Sequence, residues 1–239
     1  MGPASSGMRH EVGGDTPDSS RASQWRNSQN ANVNVFTVGY TWRDLTIERS
    51  AFSRREAEDK RRAGYGESFR LDSRSVRLSF NPSANWTVQV SRGSLSGLDQ
   101  LVPNADVRRT SVSATYRQDF KGGNWLTTLA WGRNSRKRHE TTTGYLLEST
   151  LRFEGTHVIF GRVEQVASDD LLRENESRPA QLFTLNKLTV GYFHDMRASG
   201  PVKADVGILA SRHLVPAAMT IPYGNDPISY MMFMRLKIK

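Results

Sequence analysis

Cysteine is absent from the chain. Disulfides, thiol catalysis and cysteine-ligated metal sites are therefore excluded. Long apolar runs are missing as well. The densest, Tyr230-Met231-Met232-Phe233-Met234, falls far short of the roughly 18 apolar residues that a membrane-crossing helix needs. The stretch Met1–Arg9 has no apolar core and does not form a secretory leader. An exported chain would need its leader upstream.

Catalytic signatures are equally scarce. There are 5 histidines, His10, His139, His157, His194 and His213, and none sits in a His-Glu-x-x-His pair or another ligand spacing. His194-Asp195 falls at an expected turn, where a solvated pair is the plain reading, and His157 lies within reach of Glu154 as a surface contact. No phosphate-binding glycine loop, nucleophile elbow or strand-borne His-x-Ser pattern is present. These features lead us to expect no enzyme, no cofactor and no metal site.

Charge is plentiful but scattered. The 33 Lys+Arg and 24 Asp+Glu give a formal net charge of +9. The bases are mixed with acids, as in Arg54–Arg62, and are not gathered on one helix or tail. That disfavours nucleic acid as a partner. The composition, 37% hydrophobic and 24% charged, with a mean hydropathy of −0.57, resembles that of a soluble protein. A β-barrel gives the same average, because only alternate residues of each strand face lipid.

Alternation with a period of two recurs from residue 31 onward. It predicts strands near 31–42, 45–53, 69–80, 86–92, 108–118, 125–132, 145–153, 156–166, 182–193, 202–211 and 229–238. Apolar rows such as Val76/Leu78/Phe80, Val88/Val90 and Met232/Met234/Leu236 oppose polar ones such as Ser75/Arg77/Ser79. In the eighth strand Ile159 and Val163 point one way and Arg162 and Glu164 the other, while Val158 and Phe160 blur the assignment. Short joints at Arg43-Asp44, Asn81–Asn85, Asp119–Asn124, Glu154-Gly155 and about 194–201 alternate with longer polar stretches near 54–68, 93–107, 133–144, 167–181 and 212–228. Short periplasmic turns and longer external loops give an outer-membrane barrel that layout. Tyr40, Trp42, Phe80, Trp86, Tyr116, Trp125, Phe153 and Tyr192 sit beside the short joints, as an interfacial aromatic girdle would.

The expected fold is therefore all-β, an antiparallel up-and-down transmembrane β-barrel. Residues 1–30 form a polar N-terminal loop segment and 31–239 the barrel strands, about eleven of them. Single-chain bacterial barrels close with an even number, so N-terminal strands are expected to be missing.

Several stretches carry a resemblance. They include Arg70-Leu71-Asp72-Ser73, Arg77-Leu78-Ser79-Phe80-Asn81-Pro82, Gly123–Asn134, Leu146–Leu151, Phe160-Gly161-Arg162 and Tyr223–Tyr230. Together they resemble a family of uncharacterised bacterial outer-membrane β-barrel proteins across most of residues 20–239. The resemblance implies the fold and the bacterial outer membrane, and it supplies no substrate. The chain departs from the family at Ala22–Asn30, where relatives carry histidines, and in its ending Ile238-Lys239, where barrel-insertion signals end in an aromatic residue.

The inward charges are the best functional clue. Strand parity places Arg77, Glu148, Arg152, Arg162, Glu164, Lys187, Lys203, Asp205 and Arg235 on the lumen side as pore-lining candidates, together with Glu48 and Lys237. A polar interior suits a water-filled or plugged barrel, whereas a small soluble barrel fills its inside with apolar side chains. The excess of bases implies a weakly basic lumen that favours anions. Pairs such as Arg162 with Glu148, or Lys203 with a facing acid, would offset part of it. Three readings follow: a pore or transport barrel; a sealed barrel that anchors or recognises through its long loops; or a soluble β-protein binding an anionic ligand. The first two take the lipid bilayer and outer-leaflet lipopolysaccharide as partners, and the first adds small solutes or anions.

Overall fold

The computed structural model describes residues 32–54, 71, 73–95, 107–136, 141–168, 183–196, 202–216 and 225–238. The polar segment 1–30, with the departure at Ala22–Asn30, and most of each long connection lie outside the described residues. Eleven strands are present: β1 Asn32–Trp42, β2 Leu45–Arg54, β3 Ser73–Ser83, β4 Trp86–Leu95, β5 Val107–Phe120, β6 Gly123–Arg136, β7 Thr142–Phe153, β8 His157–Ser168, β9 Phe183–Met196, β10 Val202–Leu214 and β11 Ile228–Ile238. They form one sheet in which each strand neighbours the next in sequence, an antiparallel meander with β1 and β11 at the two ends of the order. No helix among the described residues is long and apolar enough to cross a membrane.

The turns explain the pairing. Arg43 adopts φ 51°, and Gly122 adopts φ 89°. Glu154 and Gly155 adopt φ 51° and 70° in succession. Positive φ at the central residues matches the right-handed twist of two paired strands, which fixes tight hairpins there. Gly123 is needed for a different reason. A Cβ there would run into the backbone carbonyl of Arg152. Pro82, which has no N–H to give a ladder, sits where the β3–β4 register shifts between Phe80 and Ser83.

Two expectations need correction. The strands run farther into polar sequence than alternation alone suggests, and β6 reaches Arg136 while β7 starts at Thr142. The connection expected over 133–144 is therefore only 137–141, no longer than the 197–201 link between β9 and β10. Short and long connections do not alternate without exception. His194 and Asp195 lie inside β9 and not in a turn. Because successive strand residues face opposite ways, they act on different faces.

The chain divides into two compact units. The first comprises, among the described residues, β1–β4 with Val107–Ala114 and Ala130–Gly144; the second comprises Thr115–Leu129 and everything from Tyr145 onward. In both, the apolar rows are exposed, and the opposite rows are buried except in the end strands β1 and β11, where they are exposed or half-buried. Phe36, Val38, Ile47, Val76, Leu78 and Val90 are exposed in the first, and Leu188, Val190, Ile208, Met232 and Met234 in the second. Met232 exposes 82% of its surface, whereas Arg77 exposes 2% and Glu148 none. Large apolar side chains out and charges in is the reverse of a water-soluble fold. Of the aromatic residues expected in a girdle, Tyr40, Trp42, Phe80, Trp86, Trp125 and Tyr192 are exposed.

Candidate functional site

In the first unit the buried face is a ladder of hydroxyls and charges. The β2–β3 register sets Glu48 opposite Arg77, and Arg77 Nη1 donates to Glu48 Oε2 at 3.4 Å. Arg77 also stands opposite Ser91, whose hydroxyl meets that of Ser111 at 2.6 Å. One level along, the hydroxyls of Thr37 and Ser50 lie 2.7 Å apart. Arg109 is buried on the same face and donates from Nε to the Asn134 side-chain carbonyl at 2.9 Å. Phe52, Leu95 and Val107 close this face with a small apolar cluster.

The second unit is layered. Its registers define successive levels across β8, β9, β10 and β11. At the end nearest the β8 hairpin, Asp205 pairs with Arg235 at 3.0 Å. Asp195 stands opposite Asp205 and pairs with Arg152. The next level holds Val158, Phe193, Gly207 and Phe233, and the one after it Phe160, Gly191, Leu209 and Met231. These side chains form a single apolar cluster. Beyond it the face turns polar again. Arg162 opposes Thr189, which shares a 2.9 Å hydrogen bond with Ser211. Glu164 opposes Lys187 one level farther along.

Two glycines make the apolar layer possible. A Cβ on Gly191 would overlap the ring of Phe160, which lies directly opposite it. A Cβ on Gly207 would overlap the ring of Phe233 and the Cβ of Phe193. The tip of each ring occupies the space of the missing side chain on the facing strand. Arg235 then covers the layer, its guanidinium 4.4 Å from the Phe193 centroid and 5.5 Å from that of Phe233. Such a cation over aromatic faces gains attraction from the ring quadrupole.

The candidate residues thus fall into cross-strand partnerships. Arg162 donates from Nε and Nη2 to Glu148 Oε2 at 3.0 and 2.9 Å, with both side chains buried. Arg152 and Asp205 are engaged as described. At Lys203 and Lys237 the description stops at the backbone, where the register sets the two lysines opposite each other. The β11 register thus sets no acid opposite Lys203, whose side chain lies outside the described residues. The candidates do not converge on one point. Arg77, with its partner Glu48, lies on the buried face of the first unit, and the others are spread over several levels of the second. Among the described residues no group of three or more His, Asp or Glu is placed to hold a metal ion.

Sequence reasoning missed Arg109 and the apolar layer. Arg109 lies inside the fifth strand as expected over 108–118 and has the parity of Ser111 and Ser113, so parity alone would have found it. Val158 and Phe160 sit on the buried face with Arg162, which resolves the ambiguity of the eighth strand. On the exposed side, His157 Nδ1 lies 2.6 Å from the Tyr192 hydroxyl and its Nε2 lies 3.7 Å from Glu154 Oε2. The ring stacks on Phe153 at 5.4 Å. That is an interfacial aromatic patch with no nucleophile in it.

An antiparallel all-β meander with this inverted polarity defines a porin-like fold. The anion-selective porin from Comamonas acidovorans superimposes on it with a TM-score of 0.50 at 10% sequence identity. The match covers 75% of this chain and 49% of that one, so the chain spans about half the length of that porin. At this identity the likeness shows the fold alone. No family model and no curated protein matches the chain.

Proposed function

We propose that the protein is an outer-membrane β-barrel pore with a weakly basic lumen that passes small anionic solutes. One observation carries the membrane reading: large apolar residues such as Ile47, Leu78, Val90, Val190, Ile208 and Met232 are exposed, while the charged Arg77, Glu148, Arg162, Glu164, Lys187 and Asp205 are buried. Water would penalise that arrangement at each exposed Leu, Ile and Met, whereas lipid rewards it. The transport reading rests on the buried arginines and lysines and on the porin-like fold, and the structurally similar porin is itself described as anion-selective.

A second reading has specific support. The inward charges are paired across strands, and a layer of Phe160, Phe193 and Phe233 interrupts them. That arrangement also suits a sealed barrel acting through its loops.

Conductance of the protein, extracted from outer membranes into planar bilayers, separates the two. The pore reading predicts small channels whose reversal potential in a salt gradient shows anion preference. Joint neutralisation of Arg162, Lys187 and Lys203 should weaken that preference. Clear cation preference sinks the basic lumen, and a complete lack of conductance selects the sealed barrel.

A further inference from the structure

The exposed face of the first unit carries a second, unexpected feature. Arg49 on β2, Arg74 on β3, Arg92 on β4, Arg108 on β5 and Arg133 on β6 are all exposed, and each has the parity of the outward apolar row. Arg74, Arg92 and Arg108 lie toward the ends of β3, β4 and β5 that lead to longer connections, Arg49 lies at the middle of β2, and Arg133 lies near the end of β6. Arg49 and Arg92 both oppose Val76, so they flank it at one level. With strands about 4.8 Å apart, their Cα atoms are roughly 10 Å from each other. Arg74 follows two residues on, about 7 Å along β3. No Asp or Glu occupies the outward rows of β1–β6 among the described residues.

Five arginines on five successive strands, bordering an apolar band and facing no acid on their own side among the described residues, suit an external anion. Guanidinium forks match phosphate oxygens with paired hydrogen bonds. At the rim of an apolar band their stems can lie on lipid while the heads reach the headgroup level. The second unit offers a contrast within the same chain. Arg212 is the exposed outward arginine there, and it already meets Asp226 at 3.0 Å.

We propose that Arg49, Arg74, Arg92, Arg108 and Arg133 form a binding belt for the phosphate groups of anionic outer-leaflet lipid, with lipopolysaccharide as the occupant. This rests on the reading that the exposed face meets an outer membrane, and it does not depend on an open lumen. It also places the long-connection ends of β3–β5 at the outer leaflet.

The test titrates purified lipopolysaccharide into the detergent-solubilised protein, with the dephosphorylated lipid and inorganic phosphate as separate arms. The triple variant Arg49→Gln, Arg74→Gln, Arg92→Gln should bind at least about tenfold more weakly. Its β-sheet circular dichroism should be unchanged, because all three side chains are on the surface. The corresponding lysine variants should fall between, and Arg212→Gln should bind like the wild type. The dephosphorylated lipid should lose most of the affinity, and inorganic phosphate should compete only weakly. Equal affinity of the triple variant, or of the dephosphorylated lipid, would overturn the belt. Displacement by stoichiometric inorganic phosphate would make it a free-anion site and overturn the lipid assignment. A protein that conducts but binds no lipid sinks this inference alone, whereas one that enters no membrane sinks both.

Discussion

The two units present the same outside and different insides. Each exposes alternate apolar rows, yet the buried face of the first is a chain of hydroxyl and charge contacts, and that of the second encloses a phenylalanine layer seated on glycines. On the proposed membrane reading, lipid sets one requirement on every outward position, which is to be apolar at mid-depth. The inner face has no common solvent to obey, so each pair of strands settles its contacts locally. Two solutions therefore coexist in one sheet: polar groups satisfied across the ladder, and rings filling the space of absent side chains.

The largest effect should come from the buried ion pairs, and it should differ between the units. Glu148→Gln leaves Arg162 buried beside a neutral partner, and losing one member of a buried pair costs about 3–5 kcal/mol. Glu48→Gln beside Arg77 should cost less than about 2 kcal/mol, because Glu48 is partly exposed and the contact is longer. Equal losses in reversible urea unfolding would show that the two inner faces are alike after all.

Outside, the units should respond equally. Leu78→Arg in the first and Ile208→Arg in the second should each cost about 2–4 kcal/mol in lipid vesicles, while Ser79→Arg should be mild. Damage of similar size on both faces would mean that the faces are assigned wrongly.

The glycines should give the smallest effect, and its sign sharpens the contrast. Gly191→Ala or Gly207→Ala must displace a ring and should destabilise by about 1–3 kcal/mol. Gly39→Ala in the first unit meets the flexible Cγ of Glu48 at 3.3 Å and the Ile47 carbonyl oxygen at an ordinary 3.5 Å. It should be near neutral or slightly stabilising, by up to about 1 kcal/mol through the unfolded chain. Thermal unfolding of the three variants decides it.

The alternation that marks β3, β4 and β11 was legible because lipid and interior impose opposite demands on neighbouring residues. The strand ends were not. Beyond the apolar band a strand continues in polar residues, so Asn134 and Arg136 looked like loop although they belong to β6. Val158 and Phe160 misled for a different reason. One strand's pattern cannot say whether an apolar residue meets lipid or a neighbouring ring, and the sign that settles it, Gly191, lies on the next strand. His194-Asp195 looked like a pair because adjacency in sequence was taken for adjacency in space. Arg162 with Glu148 was anticipated from parity alone, whereas the partner of Lys203 depended on a register that a single strand does not contain.

The central claim is that alternate residues of these strands meet lipid. The chain has no native cysteine, so single cysteines carrying a spin label can be placed at will in the membrane-reconstituted protein. Ala204, Val206, Ile208 and Ala210 on β10, and Val76 and Leu78 on β3, should show high collision rates with oxygen dissolved in the bilayer. Asp205, Leu209, Ser211, Ser75 and Arg77 should show low ones, giving a period of two along each strand. The opposite phase, or the same accessibility at every position, would contradict the account.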